Sequence, residues 1–241
     1  MTTIQENYQR VLERIEKAAV QTGREPAEIT LVAVTKTWPI DTLREAYAAG
    51  MRHFGENRTH ELETKRPELA AEHDDMVWHF IGHLQSRQSQ TVADYADVFH
   101  AADRLKIIHR LGRQLTENGR TLTTLLEVNI SGEGSKSGFD CANWEDDSSQ
   151  REHIQQAAAE VAQIEGLQLS GLMTMAPWQA PEAEIRAVFR RTRELRDWLQ
   201  TAVPGLQIPL LSMGMTDDFE LAIAEGATHV RVGRALFGSR Q

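Results

Sequence analysis

The stretch Ile29-Thr30-Leu31-Val32-Ala33-Val34-Thr35-Lys36-Thr37-Trp38-Pro39 is dominated over its first half by β-branched and aliphatic residues. That is the composition of a strand buried on both faces. Pro39 stops the run and is placed to open a helix at its first position. Lys36 therefore falls at the C-terminal end of a buried strand. Its stem is expected between apolar walls, with the amine reaching whatever occupies the mouth above the sheet. Desolvation there favours the neutral amine, the form that attacks a carbonyl carbon to make a Schiff base. Taken alone, the segment also has a more ordinary reading, a lysine that snorkels out of a strand end.

Working outward, helix and strand signals alternate. A leading amphipathic helix is predicted from Thr3 to Gly23, on Ile4, Val11, Leu12, Ile15, Ala18 and Ala19. After the Lys36 strand come a helix from Pro39 to Ala49, a short strand at 52–54 running into Gly55-Glu56-Asn57, and a charged helix at 58–72. Strands follow at 76–81, 96–101 and 123–130, with a helix after Gln85 and another from Asp103 to Asn118 for which Asp103 is an available cap. The polar, acidic segment from Ser131 to Gln150 is expected to be a long surface loop, and a helix is expected from about Arg151 to Glu165. Strands at 167–173, 208–212 and 229–232 alternate with helices at 181–202 and 217–224, and Gly233 opens a last short helix. Eight strands alternating with helices predict an α/β fold, a single-domain (β/α)8 TIM barrel with an extra N-terminal helix, spanning residues 1–241. The competing open doubly wound sheet usually carries a glycine-rich turn after its first strand, and Thr35-Lys36-Thr37-Trp38-Pro39 has no glycine.

Bulk properties narrow the function. The 241 residues include 26 basic and 35 acidic side chains, a formal charge of -9 that would repel nucleic acid or an acidic membrane. Cys141 is the only cysteine, which excludes an intrachain disulfide and a cysteine-cluster metal site, as expected in a reducing compartment. The start lacks a signal-peptide pattern and no apolar run reaches membrane-spanning length, so a cytoplasmic location is expected.

In a barrel every loop after a strand opens on one face. Lys36, Asn57, His83, Met173, the 212–215 segment and the 231–234 segment are thereby expected to converge. Ser212 offers a hydroxyl, while Gly214 and Gly233 let backbone amides approach an anion closely, as in a phosphate site. Asp217 and Asp218 put negative charge at the start of the following helix and oppose a phosphate docked directly there. The phosphate is therefore expected nearer Gly233, Arg234 and Ser212.

The segments Ala33-Val-Thr-Lys36-Thr, Phe54-Gly-Glu-Asn57, Trp78-His-Phe-Ile-Gly-His83-Leu-Gln85, Ser135-Lys-Ser-Gly138, Gly171-Leu-Met-Thr-Met175, Leu211-Ser-Met-Gly-Met-Thr-Asp-Asp218 and Arg231-Val-Gly-Arg-Ala-Leu-Phe-Gly238 resemble, in order, those of the pyridoxal phosphate homeostasis proteins. The resemblance implies a fold-type III barrel similar to the N-terminal domain of alanine racemase. It further implies that pyridoxal 5'-phosphate (PLP) is the cofactor, held as a Schiff base on Lys36, with no established catalytic activity and a part in vitamin B6 homeostasis. Carried over by residue, Ser212 and the backbone around Gly214, Gly233 and Arg234 would hold the phosphate, and Arg231 would face the pyridine nitrogen. Asn57, His83, Met173, Met213 and Met215 would line the ring pocket. A fixed cation at that nitrogen disfavours ring protonation and weakens the cofactor as an electron sink. Two departures, Ser86-Arg87-Gln88 after the third strand and Trp38 beside the lysine, bear on accessory lysine contacts and leave Lys36 in place.

Other motifs are set aside. His79 and His83 have a zinc-like spacing but lie on a strand without the accompanying Glu, so no metal is expected. The 132–137 loop lacks the glycine before the lysine of a phosphate loop, Ser212 lacks nucleophile-elbow glycines, and Cys141 has no motif around it. The alternative function is a small racemase-like enzyme acting on amino acids. A racemase needs a base on each face of the substrate carbon, and only Lys36 is found; Tyr8, Tyr47 and Tyr95 are not at strand ends. The chain ends nine residues past Val232, leaving no room for the second β domain of alanine racemases. A monomer that carries PLP, with apo PLP-dependent enzymes as recipients, is the expectation.

Overall fold

A computed structural model describes residues 3–134 and 136–238. Ser135, in one of the motifs above, lies outside them. The strands are β1 (Thr30–Val34), β2 (His53–Glu56), β3 (Val77–Phe80), β4 (Val98–Ala102), β5 (Leu122–Asn129), β6 (Phe139–Asp140), β7 (Leu167–Met173), β8 (Leu210–Met215) and β9 (His229–Val232). The helices are α1 (Ile4–Gln21), α2 (Ile40–Ala48), α3 (Thr59–Ala70), α4 (Ser89–Tyr95), α5 (Leu105–Glu117), α6 (Ser148–Val161), α7 (Glu182–Ala202), α8 (Phe219–Ala224) and α9 (Arg234–Phe237). All strand pairs are parallel. β1 pairs with both β2 and β9, and the β4–β5 pairing joins the two ends of the sheet, so eight strands close into the expected barrel. The short β6 lies outside the ring, on β5.

Strand alternation divides the barrel into an outer and an inner layer. Phe54, Trp78, Phe80 and Phe99 are buried aromatic members of the core, and the outward side of each strand packs under the helices. The inner layer is less ordinary. Barrel interiors are usually filled by branched aliphatic side chains, whereas here His53, His79, His100, Ser212 and Arg231 are linked to one another across the ring.

The N-terminal helix forms as expected. Thr3 and Glu6 make a reciprocal capping box at its start. It lies against the last helices, where Asn7 donates to the Leu236 carbonyl and Arg14 pairs with Glu220.

Three local expectations are corrected. Pro39 is the residue before α2 and the helix begins at Ile40. Asp103 is not the cap of α5; Arg104 stands there, and Asp103 instead pairs with Arg104 and with His83. The 131–150 segment is more than a solvated loop. It contributes β6, buries Cys141 and Trp144, holds Arg191 through both oxygens of Glu145, and caps α6 with the Asp147 carboxylate three residues earlier than predicted. Of its acidic residues, Glu145 serves an ion pair and Asp147 a cap, which composition alone cannot distinguish from a solvated stretch.

Candidate functional site

Lys36 follows β1 within a tight turn, half-buried, and its two neighbours are fixed. Thr35 is fully buried; its hydroxyl donates to Glu56 Oε1 at 2.7 Å and its carbonyl accepts from Lys65 Nζ at 3.0 Å. Thr37 takes a positive φ of 70° and donates its amide to Glu61 Oε2 at 2.6 Å. Lys65, on α3, bridges the two carboxylates at 2.8 and 2.7 Å. Burial pushes the Glu56 carboxyl up to about 7 against the pull of Lys65 and Thr35. Burial also opposes ionisation of Glu61, but bonds from Lys65 and the Thr37 amide outweigh it and its pKa is lowered. The cluster turns Thr35 outward beneath α3 and fixes both ends of the turn that carries Lys36 at the rim.

The register places the other rim segments beside it. Val32 and Ala33 of β1 pair with Arg231 and Val232 of β9. Gly233 consequently lies against the end of β1: a Cβ added there would stand 3.3 Å from the Val34 carbonyl oxygen. Lys36 and the 231–234 segment therefore share one rim and adjacent strands. Arg231 is buried and rigidly held. Its Nη1 donates to Ser212 O at 2.8 Å and Ser212 Oγ at 2.6 Å, and Nη2 donates to Thr174 O at 3.0 Å. Burial lowers the Arg231 pKa to about 10, against the attraction of Asp218 and Glu127, so it remains a cation at neutral pH.

Ser212 faces into the barrel and is fully buried, with its Oγ also 2.8 Å from His100 Nδ1. The hydroxyl expected to hold a phosphate is engaged with Arg231 and His100, contacts that the sequence could not supply. Met173 pairs with Ser212 across β7 and β8 and shares its inward face. Met213 is buried and by alternation points the other way, toward the helical layer, so its side chain is directed off the expected ring pocket. Gly214 has φ +92°, and a Cβ there would lie 2.6 Å from Ala222 Cβ. Only glycine lets the segment turn so tightly over α8. The Met215 amide donates to Asp218 Oδ1 at 2.6 Å, and Arg234 pairs with Asp217, so both acidic residues that opposed a phosphate at this helix are engaged.

On the other side of the rim, Asn57 follows β2 with its Oδ1 buried and without a hydrogen-bond partner among the described residues. His83 is half-exposed and drawn toward the neighbouring loop, 2.9 Å from Asp103 Oδ2. Glu127 is a buried residue that the sequence reading missed. It pairs in register with Met173 and so faces inward; burial, with Asp103 adding to it and Arg231 opposing, pushes its carboxyl up to about 7. His53 and His100 were also missed, and His79 was weighed only as a zinc ligand. A histidine at the middle of an apolar run is the available signal, since a polar residue on a buried strand needs an inward partner.

The sequence profile of the family described as "Alanine racemase, N-terminal domain" matches residues 3–241. The pyridoxal phosphate homeostasis protein of Pseudomonas aeruginosa is 45% identical over 240 residues, covering 100% of this chain and 97% of that protein. PipY of Synechococcus elongatus, solved with PLP bound, superposes with a TM-score of 0.79 at 36% identity, covering 93% of this chain and 100% of that one. The alanine racemase of Streptomyces coelicolor shares the fold, with a TM-score of 0.73 at 17% identity; the match covers 98% of this chain and 58% of that one.

Proposed function

Because the chain belongs to the pyridoxal phosphate homeostasis protein family, we propose that it binds PLP at the C-terminal rim of its barrel and serves intracellular PLP homeostasis as a carrier or regulator. We take residues 1–241 as one PLP-binding barrel domain. The observation that carries this reading is the convergence on one rim of Lys36, the orphaned Asn57 Oδ1 and the clamped Arg231 guanidinium.

The residues present fit the group. Lys36 would attach the aldehyde carbon through Nζ, with water as the leaving group. Asn57 Oδ1 is a buried acceptor without a donor among the described residues. The backbone of Gly214, Gly233 and Arg234 would cradle the phosphate, with Met173 and Met215 beside the ring and His83 at its outer edge. Ser212 would act through Arg231, which its hydroxyl and carbonyl hold. PLP supplies an electron sink when its ring nitrogen is protonated. Arg231 would face that nitrogen, and a fixed cation there would disfavour the proton. This supports a role without catalysis. We further take the protein to be a cytoplasmic monomer that passes PLP to apo enzymes. Among the described residues no helix is long and apolar enough to cross a membrane.

The test is an absorbance spectrum of the purified chain with PLP. A visible band in the wild type that is lost in Lys36→Ala is the expected result. A band that survives Lys36→Ala overturns the assignment of the attaching amine, and sustained exchange of D- and L-alanine overturns the non-catalytic reading.

A further inference from the structure

Three histidines cross the barrel core in hydrogen-bond contact. His53 Nδ1 lies 2.9 Å from His79 Nε2, His79 Nδ1 lies 2.8 Å from His100 Nε2, and His100 Nδ1 lies 2.8 Å from Ser212 Oγ. His229 packs against this row, with ring centroids 6.1 and 6.2 Å from His79 and His100, while its Nδ1 faces Thr228. Among the described residues no group of three or more His, Cys, Asp or Glu side chains is disposed to hold a metal ion. The row must therefore be understood through its protons.

Arginine only donates, so Ser212 Oγ accepts from Arg231. Ser212 is fully buried, and its single proton needs an acceptor; a buried hydroxyl left unpaired is costly. His100 Nδ1 is the acceptor within reach. With its Nδ1 accepting, the neutral His100 ring carries its proton on Nε2, which faces His79 Nδ1. The same step repeats from His79 Nε2 to His53 Nδ1. Burial, with the neighbouring histidines and Arg231 adding to it at His100, holds His79 and His100 well below the ordinary imidazole range and keeps both rings neutral.

We propose that His100, His79 and His53 form a one-way hydrogen-bond chain, each ring carrying its proton on Nε2, that starts at Arg231 and keeps the Ser212 hydroxyl locked against its guanidinium. They are positioning residues for Arg231. What Arg231 then touches rests on the PLP reading above; the chain itself does not. The interior is polar because it aims a cation at the rim, a task that an aliphatic filling of the same volume cannot perform.

The full-length chain, labelled with nitrogen-15 and free of added cofactor, tests this at neutral pH. Long-range proton–nitrogen spectra are expected to show His53, His79 and His100 as neutral Nε2–H tautomers. Hydrogen exchange of the Arg231 guanidinium is expected to quicken about tenfold or more in His100→Leu, the loss of one charge-assisted contact. It should stay near wild type in His100→Gln, whose amide both accepts and donates. PLP affinity, read by the absorbance band, should follow the same order. An Nδ1–H tautomer or an imidazolium at any of the three rings overturns the proposal, as does equal Arg231 exchange in the Leu and Gln variants. Should His100→Leu fail to fold, the wild-type tautomers and Arg231 exchange in Ser212→Ala decide instead, unchanged exchange in the latter counting against the chain. A wild type that takes up no PLP sinks the functional reading, while the tautomers still decide the chain.

Discussion

At the scale of single residues, the setting of Lys36 is made by its neighbours. Lys65, Glu56 and Glu61 are almost wholly buried, with side-chain exposures of 6%, 0% and 9%, and they hold the Thr35 hydroxyl and carbonyl and the Thr37 amide. Removing one partner of such a cluster strands the other charges in a poor dielectric. Lys65→Met is therefore expected to destabilise the chain by about 3–5 kcal/mol in urea unfolding, and PLP uptake should fall because the turn carrying Lys36 loosens. A variant as stable as wild type would show that the cluster does not hold the turn. The position of Lys36 at the end of the first strand was legible in the sequence, because the apolar run stops there; its role was not, because the segment alone reads equally as a lysine that snorkels out of a strand end. The cluster was not, because Lys65 sits in a charged stretch that looks like any solvated helix.

At the scale of elements, close approaches of backbone decide where site residues end up. The chain after β3 passes directly over that after β2: a Cβ on Gly82 would lie 2.2 Å from the Asn57 carbonyl oxygen and 2.9 Å from its Cα. Backbone cannot yield as a side chain would, so Gly82→Ala is expected to cost about 1–3 kcal/mol and to weaken PLP binding by displacing Asn57. Urea unfolding and the absorbance titration read the two effects, and an unaffected titration would remove Asn57 from the site. Asp147 offers a contrast far from the rim. Its carboxylate accepts from the Ser149 and Gln150 amides at the start of α6, so Asp147→Ala should cost about 1 kcal/mol while leaving PLP binding unchanged. Element existence was legible from periodicity throughout, whereas the 131–150 segment was not, because its order comes from Arg191 on a distant helix.

At the scale of the whole molecule, the barrel core carries opposing titrations. Burial, followed by the fields of His53 and Arg231, lowers the His229 pKa to about 4. Between that value and about 6.5 the unfolded chain binds more protons than the folded one, so this contribution to stability is lost as pH falls through the window, about 3 kcal/mol in full. Glu56 and Glu127, both pushed up to about 7, act in the other direction, since the folded chain holds their protons and loses stability as pH rises from about 4.5 to 7. Unfolding by urea at about pH 7 and about pH 4.5 should show His229→Gln losing less stability on acidification than the wild type, by about 2 kcal/mol; equal losses would refute the assignment. By itself the sequence determined the order of strands and helices, the closed barrel they imply and the lysine at the first strand end, because periodicity and strand-end chemistry are local properties. Only the tertiary structure decided that Ser212 faces His100 and Arg231, that Glu127 faces inward and that histidines on separate strands meet. Those facts depend on how strands distant in the chain align across the ring, and a slip of one residue in that register would send each of these side chains to the opposite face.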